Sequence, residues 1–162
     1  MEYRFRRFRE SDAARLCEIT QAAILAVGPH RYSAEQVAAW ASKRRGPERF
    51  VDAVAEGATI WIAADPNDIA VAYALLKMAE NSAGHLDLLY CHPNHTRRGL
   101  ADTLLAQAED HARHSGLARL TTEASELARP AFARAGYRMV RRRDFAVEGV
   151  AIHNYAMEKP LD

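Results

Sequence analysis

The chain has few cysteines, almost no excess of either charge, and no long apolar run. Its two cysteines, Cys17 and Cys91, are isolated, with no CxxC pair and no histidine at a ligand spacing. That argues against a zinc site, and reduced, buried, inert thiols are expected. Twenty-two Lys and Arg against twenty-one Asp and Glu leave a net charge of +1. This speaks against a general nucleic-acid or membrane-surface binder, which would carry a larger basic excess. No segment reaches the roughly 18 apolar residues of a membrane span. The N-terminal MEYRFRRFRESD lacks the apolar core of a signal peptide, so a cytoplasmic protein is expected. There is no repeat, low-complexity tract or linker. With 162 residues, 49% hydrophobic and 27% charged, one compact domain over 1–162 is expected.

What is present concentrates in Leu86 to Leu105, LDLLYCHPNHTRRGLADTLL. An apolar run passes through His92-Pro93 into a short basic loop, which becomes an amphipathic helix without a spacer. The first N–H groups of such a helix lack intrahelical partners, and the helix dipole adds partial positive charge. Arg97 and Arg98 add full charges there, and Gly99 admits a ligand close to the backbone. These features describe a pyrophosphate site; the plain alternative is a solvated helix start.

Elsewhere periodicity sets the elements. Tyr3 to Phe8 alternates aromatic and basic residues as a half-buried strand does. Ser11-Asp12 opens a helix with Leu16, Ile19, Ala23 and Val27 on one face. Ser33 with Gln36 forms a capping box for a second helix, and Pro47 fits the first turn of a third bearing Phe50, Val51 and Val54. Strands follow at 59–64, 69–78 and 85–91, then a helix at 99–114 with Leu100, Leu104, Leu105, Ala108 and Ala112 on one face and Gly116 as its C-cap. A strand at 117–122, a short helix at 127–135, and a hairpin of 137–147 with 150–157 turning at Glu148-Gly149 complete the chain. The order β-ααα-β-β-β-α-β-α-β-β predicts an α/β fold with a mixed sheet and helices on both faces.

In this order the sequence resembles the GNAT superfamily of acyl-CoA-dependent N-acyltransferases, over essentially its whole length. The loop Thr96-Arg97-Arg98-Gly99-Leu100-Ala101 is similar to the family pattern of Gln or Arg, two variable residues, Gly, a variable residue, then Gly or Ala. Gly99 and Ala101 match and Thr96 departs. Ser125 to Ala128, followed by Phe132-Ala-Arg134-Ala-Gly136-Tyr137, is similar to the family's Asn-x-x-Ala and Phe-Tyr-Glu-Lys-x-Gly-Phe. Ser125 stands in place of the Asn and Phe132 in place of the Tyr. The segment Tyr32-Ser33-x-x-Gln36-x-x-x-Trp40 and the C-terminal run from Glu148 to Pro160 resemble a subgroup of small bacterial members whose acceptors are mostly unassigned.

The resemblance implies that acetyl-CoA, with no metal, lies where the central strand splays from its neighbour. Backbone groups of Leu89 and Cys91 would pair with the pantetheine arm and the acetyl carbonyl. Amides from Arg97 through Gly99, Leu100 and Ala101 to Asp102 would hold the pyrophosphate, with Ser125 and Phe132 beside the pantetheine and Arg134 near the nucleotide phosphates. The acceptor would be a small-molecule or peptide amine, with no nucleic acid or membrane partner, and the protein a monomer or homodimer.

Transfer from a thioester to an amine needs the amine neutral, and an alkyl amine has a pKa of about 10.4. Asp87, a carboxylate within an apolar run, is the candidate base; otherwise it caps a neighbouring amide or faces solvent. Glu123, at the end of the next strand, is the second candidate. Tyr90 lines the cleft or packs in the core. Tyr32 and Trp40 lie where family members build the acceptor pocket, although Trp40 also suits a core. The histidines show no metal spacing and are expected to be solvated or capping. Arg141 to Arg143 form a charged strand edge. Phe132 cannot protonate a thiolate. A thiol of pKa about 8.5 nevertheless leaves acceptably unaided, through water, or with help from Tyr90. Beside the acetyltransferase stand two other readings: a non-catalytic acyl-CoA sensor or partner-binding module, and a transferase acting on a protein N-terminus or lysine.

Overall fold

Apolar runs such as TIWIAA and AVAYALL leave a strand no polar face, so both of its sides must be covered. The computed structural model, which describes residues 1–43 and 46–162, builds these runs into the middle of a seven-stranded sheet of order β1-β2-β3-β4-β5-β7-β6. The strands are β1 (Arg4–Arg7), β2 (Thr59–Ala64), β3 (Ala70–Ala79), β4 (Ala83–Cys91), β5 (Arg119–Ala124), β6 (Arg138–Val147) and β7 (Val150–Pro160). All neighbours are antiparallel except β4 and β5. That parallel pair needs a crossover, which α4 (Leu100–His114) supplies. Its stripe of Leu100, Leu104, Leu105, Ala108 and Ala112 is buried on one face of the sheet with Val71, Leu86 and Leu120.

On the opposite face α1 (Ala13–Val27) and α3 (Glu48–Ala55) bury Leu16, Ile19 and Phe50 against Ile60, Ile62, Tyr73 and Leu75. Between them α2 (Ala34–Ala41) packs Val37 with Ile24, Tyr32, Val147 and Ile152. The predicted capping box at its start is present: Gln36 N–H donates to Ser33 Oγ and Ser33 N–H to Gln36 Oε1. A buried ion pair fixes where α1 begins. Arg6 of β1 grips both oxygens of Asp12, at 2.8 and 2.9 Å, and Asp68 of the β2–β3 turn at 2.8 Å.

The predicted element order holds throughout. Several boundaries move for identifiable reasons. The strand expected at 117–122 runs from Arg119 to Ala124. Leu117 instead closes α4: Gly116 takes a φ of 75° and Leu117 N–H bonds Ala112 O at 3.0 Å, a helix C-terminal motif with a buried apolar residue. The helix expected from Leu127 is α5 (Arg129–Arg134), because Ser125 turns the chain first, its Oγ accepting Ala128 N–H and its carbonyl Arg129 N–H. The hairpin turn is at Glu148-Gly149, with φ of 50° and 76°, as an adjacent left-handed pair requires. Cys17 and Cys91 are half-buried rather than buried. Burial still pushes both thiols up, Cys91 to about 11, so they stay protonated.

Two irregularities in β4 shape everything that follows. Leu76 lies opposite Leu86 and Leu75 opposite Leu88, so Asp87 has no partner on β3 and forms a bulge. On the other side β4 pairs with β5 only from Ala83 to Leu86, and then continues for five residues with that edge open.

If α1 is held by its buried stripe, Leu16→Ala should lower the unfolding free energy by about 2–5 kcal/mol. Leu25→Ala on the same helix, 52% exposed, should change it by less than about 0.5 kcal/mol. Urea unfolding of both variants checks this.

Candidate active site

The open edge of β4 has a definite chemistry. Thr122 Oγ1 donates to Leu86 O at 2.8 Å, ending the β4–β5 ladder with a side chain in place of a backbone donor. Leu86 thus faces β5. In an uninterrupted strand the residues two and four further on would face the same way. The bulge changes the parity. His92 N–H bonds Val71 O of the β3 segment at 2.8 Å, so Leu88 and Tyr90 face β3 while Leu89 and Cys91 present their N–H and C=O groups to the gap.

Two connected cavities occupy that gap. A narrow one of about 170 Å³ is lined by Leu89, Cys91, Thr96, Ala101, Ser125 and Ala131. A wide one of about 590 Å³ opens on the α1–α3 face, with Trp40, Asp87, Tyr90, Glu123, Phe132 and His153 among its walls. Leu89, Tyr90, Ser125, Trp40 and Ala128 border both.

The basic loop lies at the narrow end. Arg97 takes a φ of 61° and Gly99 one of 73°. The first intrahelical bond of α4 runs from Thr103 N–H to Gly99 O, leaving the N–H groups of Leu100, Ala101 and Asp102 ahead of the ladder. A methyl on Gly99 would meet nothing within 4 Å, so glycine serves the turn's left-handed φ and leaves the approach clear. Tyr3 steadies the loop from the first strand's end of the sheet. Arg98 Nη1 donates to its hydroxyl at 2.9 Å, and that hydroxyl lies 2.8 Å from His95 Nδ1. Burial, with the Arg98 charge adding to it, pushes the His95 imidazole below its usual range. Arg134 reaches Asp102 at 3.2 Å, with both side chains exposed.

The remaining sequence-selected residues divide between wall and scaffold. Asp87, at the bulge, lies 3.4 Å from Lys77 Nζ with its side chain a third exposed. Glu123 is exposed and ion-paired with Arg143. Tyr90 is hydrogen-bonded by the Trp40 side chain, and burial pushes it up to about 12, so it remains a phenol across the neutral range. Tyr32 is 6% exposed and combines wall with strut. Its hydroxyl donates to His153 O at 3.1 Å and accepts Glu126 N–H at 2.9 Å, while its ring meets Trp40 edge-on. Phe132 is buried against Tyr137 with ring centroids 5.0 Å apart.

Not every histidine is solvated or a local cap. His153 Nε2 lies 2.9 Å from Glu126 Oε1, and the Tyr155 hydroxyl donates to the same oxygen. That hydroxyl, ahead of His153 and Arg129, holds the Glu126 carboxyl below its usual range. His85 is half-buried beside Thr121 Oγ1 at 2.8 Å. Tyr3, Thr122 and Glu126 are site residues that motif reading passes over; they have partners on remote elements, and only Tyr3 carried a signal, in the aromatic alternation that leads into β1. Among the described residues no group of three His, Cys, Asp or Glu side chains is placed to hold a metal ion. None of the described helices is long and apolar enough to cross a membrane.

Known proteins share this fold. The crystal structure of a GCN5-related N-acetyltransferase from Rhodopseudomonas palustris superimposes with a TM-score of 0.86 at 32% identity, covering 99% of this chain and 97% of that one. PaiA N-acetyltransferase of Thermoplasma acidophilum, solved with coenzyme A, gives 0.79 at 17% identity, covering 99% and 100%; this likeness concerns the fold. An uncharacterized N-acetyltransferase of Escherichia coli K12, YafP, is 27% identical over 155 residues, covering 94% of this chain and 92% of its own. The family described as the acetyltransferase (GNAT) domain matches residues 30–159, from the wall around Tyr32 through the bulge and the basic loop to the end of β7. With both the splayed strand and the helix-capping loop inside that match, the chain belongs to the GNAT family of acyl-CoA-dependent acetyltransferases.

Proposed function

We propose that this acetyltransferase moves an acetyl group from acetyl-CoA to a primary amine of a small molecule or peptide by direct attack, without a covalent acetyl-enzyme. The observation that carries the reading is the line of backbone donors along one gap. The free amides at the start of α4 lie at one end, and the outward-facing Leu89 and Cys91 lead from there to the bulge and the wide cavity. A pyrophosphate, an extended amide-bearing arm and a thioester make these demands in this order.

Arg97, Arg98 and the 99–102 amides take the pyrophosphate, with Arg134 exchanging Asp102 for a nucleotide phosphate. The arm adds to β4 like a short strand on Leu89 and Cys91, past Ser125 and Phe132. The Cys91 and Leu89 N–H groups are the available donors for the thioester oxygen as negative charge develops on it. The acceptor enters the wide cavity between Tyr32 and Trp40. Asp87 removes its proton, directly or through a water, so that the nitrogen lone pair can attack the carbonyl carbon. The C–N bond forms, the C–S bond breaks, and the electron pair leaves with sulfur. Tyr90 is the hydroxyl available to protonate it, a role Phe132 cannot fill. The Lys77 ammonium lies to one side of Asp87, at 3.4 Å, and Asp87 lines the cavity.

Acetyl-CoA at one hundred times its dissociation constant should raise the unfolding free energy by about 2.7 kcal/mol. Gly99→Val should abolish the thermal shift by placing a branched side chain in the phosphate approach. Valine meets no neighbour at this position but is strained at its left-handed φ, so the free variant is first matched to the parent by circular dichroism; a full shift in the folded variant would contradict the phosphate role.

Asp87→Asn should lower kcat by about 10²- to 10⁴-fold with the KM for acetyl-CoA within twofold of the parent. Its remaining activity should climb with pH as the amine deprotonates on its own. Glu123→Gln, which breaks only the exposed Arg143 pair, should cost less than tenfold. A larger loss in Glu123→Gln than in Asp87→Asn, read by thiol release, would reverse the two assignments.

A further inference from the structure

The wide cavity is electrostatically unbalanced. Five charged residues line it: Lys43, Arg49, Lys77, Asp87 and Glu123. The carboxylates are already matched, Asp87 by Lys77 and Glu123 by Arg143. Lys43 and Arg49 are not. Among the described residues, Lys43 meets the Phe145 ring at 5.9 Å and Arg49 the Phe50 ring at 5.2 Å, and neither forms an ion pair.

Arg49 is the more telling of the two because it is half-buried, whereas Lys43 is exposed. A partly desolvated guanidinium without an anion is costly, and water satisfies its planar set of donors less well than a carboxylate does. The hydroxyls near it are already engaged. The Thr20 Oγ1 and Tyr73 hydroxyl lie 2.6 Å apart and are occupied with each other, and the Tyr90 hydroxyl is taken by Trp40. The fields of both Arg49 and Asp87 reach that Tyr90 hydroxyl, so the unmatched cation and the proposed base flank one stretch of the same wall.

We propose that the acceptor is an amine that also carries an anionic group, of the α-amino acid or peptide carboxylate class, with Arg49 as the carboxylate-binding residue and Lys43 as an outer contributor. This rests on the amine-acetylation reading above and specifies its substrate. The acceptor's carboxylate is held on the α3 side while its amine reaches across to Asp87 at the bulge. Tyr32, Trp40 and Phe145 enclose the apolar remainder. A site built around a charged donor discriminates strongly against an analogue lacking the charge, because the buried donor is then left unpaired.

The test is a thiol-release panel of protein amino acids and short peptides, each set beside its decarboxylated or C-terminally amidated counterpart. For the best acceptor, kcat/KM should exceed that of its uncharged counterpart by at least tenfold, and the advantage should shrink as salt rises. Arg49→Gln should raise the KM for the carboxylate-bearing member tenfold or more. It should leave kcat, the KM for acetyl-CoA and the kcat/KM of the uncharged member within twofold. Arg49→Lys, which keeps the charge without the fork, should restore part of the lost affinity, and if Arg49→Gln fails to fold, Arg49→Lys and the salt dependence of the unaltered protein still decide. Equal or better use of the uncharged members, or an equal loss on both members in Arg49→Gln, would overturn the carboxylate assignment while leaving acetyl transfer intact. Thiol release with no amine of either series, despite acetyl-CoA binding, would overturn the transfer reading and this inference with it.

Discussion

One extra residue in β4 organises this molecule. A strand's backbone groups alternate between its two edges, so whichever set faces the gap beyond Leu86 is decided by parity alone. The bulge at Asp87 shifts that parity by one and turns Leu89 and Cys91 outward. It also leaves Asp87 unpaired on a wall where a carboxylate can serve both as the partner of Lys77 and, in the proposed mechanism, as a proton acceptor. Without the bulge the outward set would be Leu88 and Tyr90, and the Tyr90 side chain would leave the wall it shares with Trp40. β-Bulges recur where a strand must re-aim its groups, and this one re-aims backbone and side chain together.

An open gap in a sheet tends to close, and the surrounding contacts read as the means of holding it open. Thr122 ends the ladder at a fixed point with its hydroxyl. The Tyr32 hydroxyl bridges the chain ahead of α2 to both the loop after β5 and the β7 backbone, and Glu126 gathers His153 and Tyr155 on the same side. Beyond that loop, Lys159 of β7 bonds the Ala135 carbonyl at the end of α5 and the Glu109 carboxylate of α4 at 2.6 Å, tying both helices to β7. These are hydrogen bonds and ion pairs between elements separated in sequence, and they fix the walls of the cleft where apolar packing alone would favour filling it.

The element order, the buried stripe of α4 and the capping box at Ser33 were legible because each is written in local periodicity. Leu100 to Ala112 keeps a helical spacing, and Ser33 and Gln36 are three residues apart. The loop from Arg97 to Asp102 was legible for the same reason. The bulge was not, since an apolar run reads alike with or without an extra residue, and only the register against β3 and β5 reveals it. Leu117 misled because a buried leucine serves a helix terminus as well as a strand. Glu126 and His153 pair across 27 residues, and the unmatched Arg49 lies on a cavity wall assembled from distant elements; no local pattern encodes either.

The central claim concerns four amides in one strand, and hydrogen exchange reads each of them. In the free protein the amides of Leu89 and Cys91 should exchange rapidly, while those of Tyr90 and His92, bonded to β3, are protected. Saturating acetyl-CoA should slow Leu89 and Cys91 by at least tenfold and leave the other two nearly unchanged. Protection of Leu89 and Cys91 before any ligand is added, or its absence at saturation, would contradict the account.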